Sequence, residues 1–224
     1  MYLSGTKTAD APRLAPASAP QQGVDLCRLF DIVIASAALL FLAPLMGAIA
    51  LLVWAHDGGP VLFGHSRIGF EGRTFRCWKF RSMVIDAEAR LAALLARDPQ
   101  ARAEWEADHK LRRDPRITAL GRFLRVSSLD ELPQLFNVLR GEMSLVGPRP
   151  IVLAEVPRYG RWFSRYCEVK PGITGLWQVS GRNDVDYRQR VAMDVLYAKR
   201  WSAQTYVRIL FATVPAVLAR KGSY

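Results

Sequence analysis

Between Ile32 and Ala55 the chain runs for 24 residues, IVIASAALLFLAPLMGAIALLVWA, without one charged side chain. Nothing else in the sequence limits the fold as strongly. A helix of that length is long enough to cross the hydrocarbon core of a bilayer. A buried helix of a water-soluble protein is a poor alternative for a run this long and this free of charge. Pro44 lies near its middle, where it removes one main-chain hydrogen bond and favours a kink. Arg28 precedes the run, and His65, Arg67, Arg73 and Arg76 follow it. Positive charge gathers on the cytoplasmic side of a membrane, so both flanks are easiest to satisfy if the helix bends at Pro44 and leaves through the leaflet it entered. A straight span remains the other option, and it also leaves the arginine-rich C-terminal part in the cytoplasm. Residues 1–23, rich in Ala, Pro, Ser, Thr and Gln, have no apolar face and are expected to be a disordered tail. The apolar run starts too late for a signal peptide, and no clean cleavage site follows it. The expected division is a tail at 1–23, a membrane-embedded helix at 24–56 and a cytoplasmic domain at 57–224.

The formal net charge of +11 on 224 residues calls for acidic partners: nucleic acid, anionic lipid or phosphorylated small molecules. Nucleic acid would favour a basic stripe with interleaved aromatics. Here the arginines are scattered around glycines and prolines, so nucleic acid is set aside. Cys27, Cys77 and Cys167 are odd in number, far apart and without a CxxC spacing, which suits reduced thiols. His56, His65 and His109 have no zinc-type spacing.

Past the apolar run the pattern is mainly α with a small β element. Residues 61–83 alternate with period two around Gly69 and Gly72 and read as a β-hairpin, with Lys79 and Arg81 on one face. Residues 85–111 read as helix split at Pro99, with acids and arginines at helical spacing. Ile117, Leu120, Phe123 and Leu124 mark a short helix. Residues 151–168 read as helical and carry Tyr159, Trp162, Phe163 and Tyr166, suited equally to a membrane interface and to a core. Lys170 to Gly175 reads as a tight loop whose glycines let backbone approach a ligand, followed by a strand at Leu176–Val179. Residues 186–199 and 201–220 read as helices, the latter broken at Pro215.

The chemistry concentrates in Ser127 to Pro150, SSLDELPQLFNVLRGEMSLVGPRP. Ser127 or Ser128 with an acid three residues on reads as a capping box. Pro133, tolerated only in a first turn, moves the helix start toward Asp130. Asp130 and Glu131 are then expected at a helix N-terminus, where the positive dipole end lowers a carboxylate pKa and attracts phosphate. Acids are common in first turns, so the pair alone is no active site. Its neighbours Arg122, Arg125 and Arg149 make the case. A carboxylate can attack phosphorus, a second can hold a hard cation, and arginine forks suit phosphate.

Four segments, FRCWKFRSM (75–83), the block 114–150, KPGITGLWQVSGRN (170–183) and LARKGSY (218–224), resemble the bacterial sugar transferases, monotopic phosphoglycosyl transferases acting on polyprenyl phosphate. With the apolar run, the resemblance covers almost everything from Arg28 on, and it is nearest to the exopolysaccharide-type galactose-phosphate transferases. It implies a re-entrant membrane helix bent at Pro44, with a catalytic domain and interfacial amphipathic helices on the cytoplasmic face of the bacterial inner membrane. It implies transfer of a sugar 1-phosphate from UDP-galactose or UDP-glucose to undecaprenyl phosphate, with release of UMP. Asp130 matches the nucleophile and Glu131 the acid associated with Mg²⁺, with Asp130 beside it. Lys79, Arg81, Arg125, Arg149 and Arg182 match positions that contact phosphate or nucleotide, and Asp194 falls in a family-typical segment. Larger family members carry several transmembrane helices ahead of this domain, which the present sequence is expected to go without. The oligomeric state is open, with a homodimer among the options. The competing reading is a membrane-anchored scaffold with a degenerate site.

Overall fold

The computed structural model describes residues 21–108, 111, 113–181 and 185–218. The fold is mostly helical, with two small two-stranded sheets. The chain divides into two compact units. One takes residues up to Leu39, Gly64–Cys77 and the described chain from Gln134 onward; the other takes Leu40–Phe63 and Trp78–Pro133.

Helix α1 (Gln21–Asp57) contains the whole apolar run and continues through Pro44. It starts within the stretch expected to be tail; the residues before Gln21 lie outside the described ones. Only 11% of its most apolar stretch is buried, whereas the central helix of a soluble protein would be mostly buried. Its buried residues recur every four positions, Cys27, Asp31 and Ala35 in one unit and Ile49 and Val53 in the other. Leu40 and Phe41, beside the proline, are over four-fifths exposed.

In the first unit α1 is fastened by polar side chains. Asp31 is buried and accepts hydrogen bonds from Ser144 Oγ (3.0 Å), Leu145 N (2.8 Å) and Tyr206 OH (2.8 Å). Arg28 donates to the carbonyls of Val138 (2.6 Å) and Leu139 (2.8 Å). Those carbonyls belong to the last turn of the helix at Gln134–Arg140, where acceptors are left without intrahelical partners and a cation is favoured. That helix stops at Gly141, whose φ of +78° suits a residue without a Cβ. A core of Leu135, Val138, Met143, Leu145, Val146, Tyr197, Tyr206 and Ile209 fills the space around it.

The hairpin is as the alternation predicts. Strands β1 (Leu62–Ile68) and β2 (Thr74–Phe80) are hydrogen-bonded neighbours joined by a tight turn at Phe70–Gly72. A second sheet was not foreseen: β3 (Ser144–Val146) pairs in parallel with β4 (Gly172–Thr174), Ser144 opposite Gly172 and Val146 opposite Thr174. The strand expected at Leu176–Val179 is instead a short helix, Leu176–Ser180, with Trp177 buried. The glycines of Lys170–Gly175 also allow a close backbone packing. A Cβ on Gly172 would lie 2.0 Å from Gly147 N, and one on Gly175 2.2 Å from Gly147 O. They let this loop lie backbone to backbone on the loop that begins at Gly147.

The helical stretch expected at 151–168 is broken into short turns, including Val156–Tyr159 and Phe163–Cys167, with Gly160 at φ +49° between them. Its aromatics are core residues: Tyr159, Phe163 and Tyr166 are buried with Ile68, Ile151, Val191 and Val195. The helix at Tyr187–Lys199 is capped by Asp186, which accepts from Gln189 N at 2.7 Å. The last described helix, Ala203–Leu218, runs through Pro215 instead of breaking there. It turns Tyr206 and Ile209 into the core and leaves Phe211 exposed.

In the second unit, α2 (Ala87–Arg97) and α3 (Pro99–Asp108) are separated at Pro99, as expected. Asp98 ends one and caps the other, accepting from Gln100 N and Ala101 N. Helix α4 (Ala119–Val126) is capped by Thr118, whose Oγ1 accepts from Gly121 N at 2.9 Å. Ile49, Val53, Phe80 and Leu124 form the core of this unit, with Leu120, Leu129 and Leu132 against it.

Candidate active site

The second unit gathers one carboxylate–cation cluster. β2 ends by presenting Lys79; α4 ends by presenting Arg125; the turn Leu129–Glu131 that follows carries Asp130 and Glu131. Lys79 Nζ lies 2.5 Å from Glu131 Oε1 and 3.7 Å from Asp130 Oδ2. Asp130 is 6% exposed, while the side chains of Lys79 and Glu131 are more open, at 26% and 30%. One carboxylate is therefore sheltered, with a cation and a second acid at the accessible edge.

The local backbone differs from the sequence-based expectation. No capping box forms at Ser127 or Ser128. Ser127 ends α4, its Oγ donating to Phe123 O at 2.7 Å, and Ser128 takes a left-handed conformation, φ +58°. That reversal lets the chain turn sharply from α4 into the single 3₁₀ turn holding the acids, and Pro133 follows where no N–H is needed. Asp130 consequently does not sit in the first turn of a long helix. Its pKa is raised, not lowered as expected: burial is the largest cause, Lys79 and Arg125 pull it back, and Glu131 adds to the rise.

Arg125 is held by Ser82, whose Oγ accepts from Arg125 Nε at 2.8 Å. Burial lowers the Arg125 pKa, and the Asp130 carboxylate opposes that shift. Arg81 is not in this cluster. Its guanidinium pairs with Asp57 and reaches Val53 O, at the last turn of α1. Arg182 lies outside the described residues. Pro44 lies within α1.

Arg149 and Asp194 belong to the first unit. Arg149 is exposed on its loop, its carbonyl lying 3.3 Å from Tyr166 OH. Asp194 is 1% exposed and accepts from Tyr159 OH at 2.7 Å. Burial pushes its pKa up to about 7, against the opposing pull of the Tyr159 bond, Arg190 and Arg149. Sequence reasoning missed Ser82 as a partner of Arg125. The clue lay in the KFRSM segment, but a lone serine after a strand carries no signal of its own.

Taken together, this is a largely helical protein with, among the described residues, one membrane-length apolar helix and a sheltered carboxylate beside a lysine, an arginine and a second acid. The chain belongs to the bacterial sugar transferase family: the profile of that family matches residues 24–220. Among curated relatives, the undecaprenyl-phosphate galactose phosphotransferase of Salmonella typhimurium is 55% identical over 202 residues, covering 89% of this chain and 42% of that protein. The exopolysaccharide production protein ExoY of Rhizobium meliloti is 47% identical over 225 residues, covering 99% of each chain. The UDP-glucose:undecaprenyl-phosphate glucose-1-phosphate transferase of Escherichia coli is 38% identical over 215 residues, covering 92% of this chain and 43% of that protein. The chain thus spans less than half the length of the Salmonella and Escherichia proteins and nearly the whole of ExoY.

Proposed function

We propose that the protein transfers a sugar 1-phosphate, of galactose or glucose, from the UDP-sugar to undecaprenyl phosphate, releasing UMP, in exopolysaccharide or related glycoconjugate synthesis. The observation that carries this reading is the sheltered Asp130 carboxylate with Lys79 Nζ 3.7 Å from it. The names of the relatives supply the acceptor and both candidate sugars.

A carboxylate oxygen of Asp130 attacks the β-phosphorus of the donor. The bond from that phosphorus to the bridging oxygen breaks, and UMP leaves with the oxygen and its electron pair. A phosphate oxygen of the lipid then attacks the same phosphorus. The sugar–phosphate moves to the lipid as a diphosphate, and Asp130 returns as a carboxylate. Splitting one transfer into two displacements is the usual role of an enzymic nucleophile. Lys79 and Arg125 balance the charge that builds on the phosphoryl oxygens. Arg149 and Arg182 are proposed to contact phosphate or nucleotide on the strength of the family resemblance. Arg81 has its guanidinium committed to the end of α1 and is left out of the phosphate contacts.

The donor set suits Mg²⁺. Glu131 and Asp130 offer only carboxylate oxygens, and among the described residues no group of three or more His, Cys, Asp or Glu side chains gathers to hold an ion. Substrate phosphates and water would complete the coordination, which is how Mg²⁺ is commonly bound. Glu131, with Asp130, would hold the ion, and its contribution when bound is to neutralise the diphosphate.

We propose the re-entrant topology, on the cytoplasmic face of the inner membrane. Arg28 and Asp31, near the start of α1, bond to residues 138–206, and Asp57, at its end, bonds to Arg81. All these partners follow α1 in the chain, and no second helix among the described residues is long and apolar enough to cross. These bonds support the reading that both ends of α1 lie on one side, with the exposed apolar middle around Pro44 left for the lipid. A lipid phosphate acceptor lies at headgroup depth, where such an enzyme can meet it.

The test is release of UMP from a panel of UDP-sugars by the purified protein in undecaprenyl phosphate-containing vesicles. Release from UDP-galactose or UDP-glucose, with a radiolabelled sugar–phosphate trapped on the wild-type protein but not on Asp130→Asn, is expected. No release from any donor overturns the reading.

A further inference from the structure

Ser82 makes contacts at both ends of α4 through different atoms. Its carbonyl accepts from Thr118 N (3.2 Å), at the helix start. Its hydroxyl accepts from Arg125 Nε (2.8 Å), at the helix end. Between them, a Cβ on Gly121 would fall 1.9 Å from Ser82 O, so α4 lies directly on this carbonyl. Val84 N donates to Arg116 O (2.9 Å) and Met83 bridges Ile117, extending the same contact. Ser82 is 8% exposed, so water is a poor substitute for its hydroxyl. A guanidinium on a long side chain has many rotamers, and a fixed acceptor at Nε leaves its two terminal nitrogens oriented for use elsewhere.

We propose that Ser82 is a positioning residue for the transferase reaction: its hydroxyl sets the direction of Arg125, and through Arg125 the charge presented to Asp130 and to the phosphate bound there. This rests on the proposed reading of the Asp130 cluster. The division of labour within one residue is what makes it testable. The carbonyl docks the helix; the hydroxyl aims the arginine. Removing the hydroxyl leaves the docking in place.

The experiment is a double-mutant cycle of Ser82→Ala and Arg125→Ala, read by UMP release in vesicles, with Ser82→Thr as the conservative control. Ser82→Ala is expected to lower kcat on the order of tenfold and to cost little further in the Arg125→Ala background. Ser82→Thr should recover most of the rate. Fully additive losses, or no recovery with Ser82→Thr, overturn the proposal while wild-type activity leaves the transferase reading standing. Absence of wild-type UMP release overturns both. Should Ser82→Ala lower the unfolding temperature, the same cycle is read at a temperature where every variant is folded, and additivity there is equally decisive.

Discussion

Among the described residues three aspartates are buried, Asp31, Asp130 and Asp194, and the last two are treated in opposite ways. Asp130 is 6% exposed and is flanked by Lys79, whose Nζ lies 3.7 Å away, and by Arg125. Asp194 is 1% exposed and is hydrogen-bonded at 2.7 Å to a neutral phenol. Burial raises the pKa of both. Cations pull Asp130 back toward the ionised form, while the Tyr159 bond, Arg190 and Arg149 still leave Asp194 titrating at about 7. A carboxylate near the accessible edge of a site, with cations beside it, suits attack on phosphorus. An acid sealed in and bonded to a tyrosine suits holding a core together.

The largest effect that tests this contrast is at Asp130. Asp130→Asn is expected to lower UMP release by at least about a thousandfold and to abolish the trapped sugar–phosphate. The same change should stabilise the protein at neutral pH. With the folded pKa above the unfolded one, Asp130 contributes stability that is complete below the unfolded pKa and lost as pH rises through the folded value. Asn removes that loss. A variant that is inactive and less stable at pH 7 would break the contrast, since it would make Asp130 structural.

Next in size is Lys79→Ala. Taking away the nearest cation should cost roughly a hundredfold in kcat/KM and move the acidic limb of the pH profile upward, because Lys79 lowers the Asp130 pKa. An unmoved limb would mean that Lys79 serves Glu131 alone, its closer partner at 2.5 Å.

Asp194→Asn should spare most of the activity and change the pH dependence of stability instead. In the wild-type protein, stability falls as pH rises from the ordinary aspartate value near 4 through about 7. The Asn variant should lose this slope, so that it is the more stable of the two above pH 7. Thermal unfolding between pH 4 and 8 measures it. Loss of UMP release with unchanged stability would move Asp194 from the core to the chemistry.

How far the sequence foretold these features depends on the distance over which each is encoded. The 24-residue apolar run, the split at Pro99 and the helix that begins at about Asp186 are local, and composition, proline and periodicity locate them. The three-residue strands β3 and β4 are too short to show a period, and their pairing depends on Gly147 and Gly172 meeting across two dozen residues. The helix at Leu176–Ser180 looked like a strand because Trp177 and Val179 alternate with polar neighbours, yet burial of the indole against the core decides it. At the site, the motif blocks brought Lys79, Arg125, Asp130 and Glu131 to attention. The commitment of Arg81 to Asp57 could not be read, because a basic residue two positions from Lys79 shares its strand face but reaches a different helix. The direction of the Asp130 pKa shift was also out of reach, since burial outweighs any dipole argument and burial is a tertiary property.

The smallest expected effect concerns how α4 holds Arg125 toward Asp130. Thr118→Ala removes the acceptor for Gly121 N and should cost about 1 kcal/mol of stability, the usual value of such a cap. Chemical denaturation gives this as a lower midpoint with an unchanged slope. Turnover should stay within about twofold of wild type, because the carbonyl of Ser82 still receives Thr118 N and still faces Gly121. A cap supports a helix against fraying, whereas Ser82 fixes where the helix lies. If the loss of the cap lowered UMP release as much as Ser82→Ala does, helix fraying alone would explain the displacement of Arg125, and the sheltered carboxylate would owe its cations to the stability of α4 and not to the aim of one side chain.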